Sequence, residues 1–238
     1  MHLTHEQVRL FRHNGFLKLT DRLPEEVVTR LKAAAWKDLR EAVAPVVRDK
    51  EGRVVRLSNI LDRDPVFREA ATHPTVLDPM ESLLGPNIEI VQNRHNHIQL
   101  RPPGANPDHL HRDVLQWSRG IVTAIFYLEE STVEKGCTQV VPGTHLLPAC
   151  GDAHNVDGVE WVQQAGVLDQ AVLAPMPAGG MLAIDSLIFH GATPNRSDET
   201  RMSLTLGYHS VDELSEGSDD KTLLARGRRV YKGNDNYK

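Results

Sequence analysis

At 238 residues the chain is long enough for a single domain with a sizeable core, and 27 basic against 32 acidic residues leave a formal charge of −5. That balance gives no broad basic field of the kind that binds nucleic acid or anionic lipid, so the expected partner is a small molecule, with no nucleic acid and no membrane. Two cysteines, Cys137 and Cys150, are too few for a disulfide framework, the first residues lack a signal-peptide pattern, and no apolar run approaches the roughly 18 residues of a membrane span; the expected location is cytoplasmic.

Thr4-His-Glu-Gln7 has the form of a capping box, and Val8, Leu10 and Phe11 follow before Gly15, which predicts a short N-terminal helix. A second helix is predicted from Pro24 to about Val43 through Val27, Leu31, Ala34 and Leu39, with further helical turns around 65 to 71 and 75 to 84. These helices are expected to pack on the outside of a sheet and to carry no chemistry. After Gly85-Pro86 the pattern changes to short strands, at 88 to 92, 98 to 101 and 121 to 128, with Pro102-Pro103-Gly104 as a turn. Residues 180 to 189 read as two apolar strands around Asp185-Ser186, and 201 to 208 alternates as a strand with one wet face. Residues 45 to 58 and 149 to 166 read as long loops that cover a site, the second carrying Trp161 as its contact, and the charged tail from Asp212 onward reads as peripheral. The expected plan is one domain over 1–238: N-terminal helices at about 4–84, a β core at about 86–210 and the tail.

The chemistry is concentrated in four residues. His111 and Asp113 lie two apart, so on an extended segment their side chains share a face. His190 ends a core strand, and Arg201 follows eleven residues later. Two imidazoles and one carboxylate, with no thiolate, suit Fe(II) with three open positions better than a structural zinc site. Arg201 offers a planar charged fork for the far carboxylate of a keto-diacid, with Ser203 on the same side. The run Asn93-Arg-His-Asn-His97, with His109 and His111, also spells His-x-His twice and leaves a zinc site as an alternative.

The motifs Leu100-Arg-Pro-Pro-Gly104, His111-Arg-Asp113, Gly136-Cys-Thr-Gln-Val-Val-Pro-Gly-Thr-His145 and Pro177 to His190, with Pro194 to Ser203, resemble those of the phytanoyl-CoA dioxygenase-like family over roughly residues 4 to 210. The resemblance implies a mainly β fold with flanking helices, a double-stranded β-helix of jelly-roll or cupin-like form. It implies Fe(II) held by His111, Asp113 and His190, with 2-oxoglutarate held by the iron and Arg201 and dioxygen as second co-substrate. Decarboxylation of 2-oxoglutarate to succinate and carbon dioxide is then coupled to removal of hydrogen from an unactivated carbon. The intact Asp113 argues against halogenation. Departures from the family pattern are Arg101, where lysine is common, and Ala192, where serine is common; they leave Thr123 and Asn96 as candidates for further cofactor contacts. Pro142-Gly143-Thr144-His145 reads as a turn scaffold.

His95, His97, His109, Gln116, Trp117 and Arg119 surround the metal pair in sequence, and aromatic residues are only 5% of the chain. Polar groups with a few indoles suit a hydroxyl-rich ligand better than a fatty acyl chain. Together with the antibiotic-tailoring members of the family, this points to a glycoside or oligosaccharide natural product, contacted by His97, Gln116, Trp117 and Trp161. The alternatives are a hydroxylase of a small amino acid or osmolyte, and a non-catalytic metal-binding barrel used for sensing.

Overall fold

The structure, a computed structural model, describes residues 1–115, 120–147, 154–211 and 222–229. Helix α1 (His5–Asn14) begins at Thr4, whose hydroxyl accepts from the Gln7 N–H while Gln7 returns a bond to the Thr4 N–H. It ends at Gly15, whose left-handed φ of 79° lets its N–H close on the Phe11 carbonyl. Strand β1 (Phe16–Lys18) follows, and α2 (Glu25–Glu41) starts behind Pro24. After β2 (Val46–Arg48) and β3 (Val54–Ser58) come α3 (Pro65–Ala71), capped by the Asp64 carboxylate, and α4 (Pro74–Leu84). The remaining elements are β4 (Ile88–Arg101), β5 (Val122–Tyr127), β6 (Thr138–Val141), α5 (Glu160–Gln164), β7 (Val172–Ala174), β8 (Met181–Asp185), β9 (Phe189–Ala192), β10 (Arg201–Ser210) and β11 (Thr222–Arg226).

Two antiparallel sheets face each other as a double-stranded β-helix flanked by helices. The larger runs β1-β8-β5-β10-β4-β3-β2, with β11 added on β4; the smaller runs β7-β6-β9. Period-two alternation divides each central strand between two interiors. On β5, Val122, Ala124 and Phe126 face a core shared with Leu31, Phe67 and Met80 of the helices, while Ile125 and Tyr127 face the small sheet and meet Val140 and Ile188. The helices thus cover the outer face of the large sheet and leave its inner face for a cavity.

Four expectations are corrected. Residues 88 to 101 form one strand, with a register shift where Asn96 pairs Leu206 and Val91 pairs Gly207, so the intervening segment bulges and His95 takes a φ of 49°. Residues 201 to 208 have no wet face: the alternation separates a helix-side core from cavity-lining Arg201, Ser203 and Thr205. Residues 45 to 58 are mainly a hairpin whose β3 pairs with β4: Val54 stands opposite Arg48, and Leu57 stands between Val46 of β2 and Ile98 of β4. The tail contributes β11, which pairs with Ile88–Val91 and is tied down by Arg226 on Asp78 and Glu81.

Candidate active site

The site is a cavity of about 500 Å³ between the inner face of the large sheet and β9 of the small one. His111 pairs with His190 across an isolated antiparallel bridge, with both N–H···O bonds made at 2.9 and 3.0 Å, so the loop after β4 is pinned beside β9. One ligand atom from each of His111, Asp113 and His190 lies within 4.8 Å of the others. The His111 and His190 Nε2 atoms stand 4.0 and 3.6 Å from Asp113 Oδ1.

Each ligand is oriented from behind. His111 Nδ1 lies 3.0 Å from the His109 carbonyl and His190 Nδ1 lies 3.0 Å from the Ile188 carbonyl. A carbonyl only accepts, so both rings carry the proton on Nδ1 and leave Nε2 free to coordinate. Thr123 donates to Asp113 Oδ2 at 2.8 Å, and the Arg94 guanidinium holds the Asp113 carbonyl at 2.7 Å. Burial would raise the Asp113 carboxyl, but His190, His95 and His111 and the Thr123 hydroxyl outweigh it and hold it below the usual range. Burial, opposed by Asp113, holds His190 down at about 4, so at neutral pH this set offers an anionic oxygen and an uncharged imidazole.

Arg112, between two ligands, points the other way. Its guanidinium is buried, lies 4.7 Å from the Phe189 ring centroid and donates to the Thr144 and Leu147 carbonyls at 2.7 and 3.0 Å. Thr144 in turn accepts from the Phe189 N–H at 2.8 Å, one residue before His190. The Pro142 to His145 motif is therefore a scaffold, and His145 ties it to the Arg12 carbonyl at the end of α1. Sequence reading missed Arg112; the signal available was the alternation that sends the middle residue of His-x-Asp to the opposite face.

Arg201 is 3% exposed, on the same cavity wall. Its guanidinium carbon lies 5.7 Å from the Tyr127 ring centroid, and among the described residues its side chain makes one long bond of 3.4 Å, to Ser131, while its buried Nε has no partner. Glu199, the neighbour that a surface arginine would pair with, instead binds Lys135. Ser203 is buried beside it and lines the cavity; Thr138, also on the wall, is joined to the Tyr127 hydroxyl at 2.6 Å. A desolvated guanidinium without an anion is the seat that the far carboxylate of 2-oxoglutarate requires, and the three ligands are the donor set that Fe(II) requires. The residues present fit both groups.

Other candidates are distributed differently. Thr123 acts on Asp113, as described above. Asn96 is not on the cavity wall: it accepts from the Leu61 N–H at 3.1 Å and donates to the Gln92 carbonyl at 3.1 Å, so it secures the β4 bulge. Trp161 packs, partly buried, against Leu110, Val141, Val156 and Phe189, because α5 supplies the apolar surface that an isolated loop would lack. His97 lines the cavity, while Gln116, Trp117 and Arg119 lie outside the described residues, as do Cys150 and 149 to 153 of the second loop. The His-x-His pairs do not converge on a zinc site: His109 is exposed beside Asp157, and His97 is bonded to Arg56. Arg101 spends its guanidinium on Asp108 and on the carbonyls of Thr193 and Asn106, bracing the loop that leads to His111. Gly136 is required behind it, since a Cβ there would stand 2.5 Å from the Thr193 carbonyl and 2.8 Å from Arg101 Nε, at a φ of 73°.

Among the described residues no helix is long and apolar enough to cross a membrane. The sequence profile of the phytanoyl-CoA dioxygenase (PhyH) family matches residues 11–203. Human peroxisomal phytanoyl-CoA dioxygenase is 25% identical over 242 residues, covering 88% of this chain and 69% of that one. The α-ketoglutarate-dependent carbocyclase SnoK from nogalamycin biosynthesis superimposes with a TM-score of 0.74 at 24% identity, over 88% of this chain and 85% of its own. EctD from S. alaskensis, in a structure with 2-oxoglutarate and 5-hydroxyectoine, gives 0.77 at 20% identity, over 97% of this chain and 88% of its own. With its His111, Asp113 and His190 group and a match over most of its length, the chain belongs to the phytanoyl-CoA dioxygenase family of Fe(II)- and 2-oxoglutarate-dependent oxygenases.

Proposed function

We propose that the chain is one catalytic domain that oxidises an unactivated C–H bond of a small polar molecule, by hydroxylation or oxidative ring closure. The carrying observation is the cavity wall away from the triad, where Arg56, Asn93, His97 and Gln99 present donors and acceptors and Ile125 is the one large aliphatic side chain among the described lining residues. Buried hydroxyl and amide groups of a ligand need such partners, whereas a long acyl chain would leave them unsatisfied. A volume of about 500 Å³, part of it taken by 2-oxoglutarate, suits a compact substrate.

When bound, iron with 2-oxoglutarate and dioxygen supplies the oxidising chemistry. The chain's own residues hold and orient. His111, Asp113 and His190 would hold the metal, Thr123 fixes the Asp113 carboxylate rotamer, and Arg201 would hold the keto-acid by its far carboxylate. The retained Asp113 carboxylate occupies the position that halide would need.

Within this reading, a glycoside or oligosaccharide natural product of antibiotic biosynthesis remains the leading substrate class, supported by the polar wall and by the likeness to SnoK. Packing of Trp161 removes one indole from the argument for sugar stacking, which favours as second reading a small amino acid or osmolyte, as in the EctD structure with 5-hydroxyectoine. The two-cysteine composition supports a cytoplasmic location. The test is succinate release with iron and 2-oxoglutarate across hydroxylated glycosides, amino acids, osmolytes and long-chain acyl compounds. Turnover of polar compounds, abolished in His111→Ala, is expected; turnover of long-chain acyl compounds alone overturns the proposal.

A further inference from the structure

Resting on the polar-substrate reading, we propose that the substrate carries an anionic group, a carboxylate, phosphate, phosphonate or sulfate, and that Arg56 is the residue that binds it. Arg56 lines the cavity, its Nε is buried without a partner, and its hydrogen bond runs from Nη2 to His97 Nδ1 at 2.7 Å. No acidic side chain among the described residues pairs with it.

His97 does not compensate that charge. A guanidinium can only donate, so Nδ1 of His97 accepts and its proton sits on Nε2. Burial first, and the Arg56 charge second, hold this imidazole down at about 3, so it is neutral at working pH. The pair therefore offers one full positive charge and a further N–H donor, with no negative partner. The Arg56 guanidinium is half-buried on the wall, and an anion placed there would gain charge-assisted hydrogen bonds that the neutral His97 does not supply.

The other arginines of the wall are occupied. Arg94 binds the Asp113 carbonyl, Arg112 binds two carbonyls behind the ligands, and Arg201 is the seat of 2-oxoglutarate. Nor does the cofactor set leave a negative charge for Arg56. The two charges of Fe(II) and the one of Arg201 equal the one of Asp113 and the two of the keto-diacid. Asp108, the other acid on the wall, is paired with Arg101 at 3.0 Å.

Strand register separates the two anion seats. Ser203 of β10 stands opposite Gln99 of β4, and Gln99 stands opposite Arg56 of β3. Arg56 is thus two strands away from β10, roughly 10 Å at ordinary interstrand spacing. A molecule whose acid group meets Arg56 and His97 would extend along this row toward the triad, with Gln99 between to take a hydroxyl or amide.

The direct test uses inorganic sulfate as probe on protein loaded with Zn(II) and saturating 2-oxoglutarate, so that Arg201 is filled. Sulfate titration is followed by the arginine Nε–H and His97 ring signals in NMR. Saturable binding is expected in the native protein, at least tenfold weaker in Arg56→Gln and partly restored in Arg56→Lys, with affinity for 2-oxoglutarate within twofold in all three. Equal binding by native protein and Arg56→Gln, or no saturable response in the native protein, overturns the proposal. The 2-oxoglutarate affinity serves as the check on folding, and Arg56→Lys provides a second variant. In parallel, substrate candidates are offered as matched acid and neutral pairs, with succinate release as readout. A preference of at least tenfold in kcat/KM for the acid, collapsing in Arg56→Gln, supports the anion seat. Equal or better turnover of neutral polar members overturns it and leaves the polar-substrate reading standing. Turnover confined to long-chain acids, still lost in Arg56→Gln, overturns the polar-substrate reading and leaves the anion seat.

Discussion

Arg112 lies between His111 and Asp113 in sequence, and its guanidinium clamps the Thr144 and Leu147 carbonyls and lies against Phe189. Removing it leaves two carbonyls and a ring face without their partner, so Arg112→Ala is expected to destabilise the fold by about 3 kcal/mol. Because Phe189 precedes His190, the variant should also bind iron more weakly; urea denaturation and metal titration measure the two effects. A variant with native iron affinity would show that the clamp serves stability alone. Arg201 has the opposite role, a guanidinium left without an anion. Arg201→Lys keeps the charge and loses the fork, and a rise of roughly tenfold in the 2-oxoglutarate requirement is expected, with iron binding retained. An unchanged requirement in steady-state assays would assign the keto-acid to another cation.

At the scale of elements, the segment that composition and spacing suggest as a lid is a sheet extension. β3 is hydrogen-bonded to β4 over Arg56–Ser58, with Leu57 fully buried. Amide exchange separates the two pictures, since a lid opens locally while a strand in a central ladder exchanges with the core. Slow exchange at Leu57, comparable to Ile98 opposite it, is expected without substrate; rapid exchange that slows on substrate addition would restore the lid. The part of the second loop from 154 onward is likewise committed to packing: the Val156 N–H bonds the Leu110 carbonyl, and Asp157 accepts from the Leu110 N–H. It therefore backs the His111 segment, and only His154 of this stretch reaches the cavity wall. β11 provides a comparable brace on the outside of β4.

Over the whole molecule the cavity gathers imidazoles that are kept neutral by burial, and this couples stability to pH. His97 is held at about 3 in the fold, against an ordinary value of about 6.5 in an unfolded chain. Between those values the unfolded chain takes up a proton that the fold refuses. Stability is therefore fully present above about pH 6.5 and is lost as pH falls toward 3, with a slope from this one group of at most about 1.4 kcal/mol per pH unit. His190, held at about 4, acts in the same direction. Metal-free protein is expected to melt at a lower temperature at pH 5 than at pH 7, with a shallower dependence in His97→Gln. Identical slopes in calorimetry would assign the acid sensitivity to other groups.

The sequence by itself determined whatever depends on local spacing. The Thr4 to Gln7 box and Gly15 bound α1, Pro24 marks the start of α2, and alternation over 201 to 208 puts Arg201, Ser203 and Thr205 on one face. Ligand chemistry was legible for the same reason, since His111 and Asp113 two apart on an extended segment must share a side. Only the tertiary structure decided what depends on which strands become neighbours. Asn96 secures the β4 bulge and is not on the cavity wall, and α5 gives Trp161 an apolar bed. Pairing of β3 with β4 carries Arg56, 41 positions from His97 in sequence, into contact with it. No periodicity records such a contact, because it is set by sheet order, which exists only once the chain has folded.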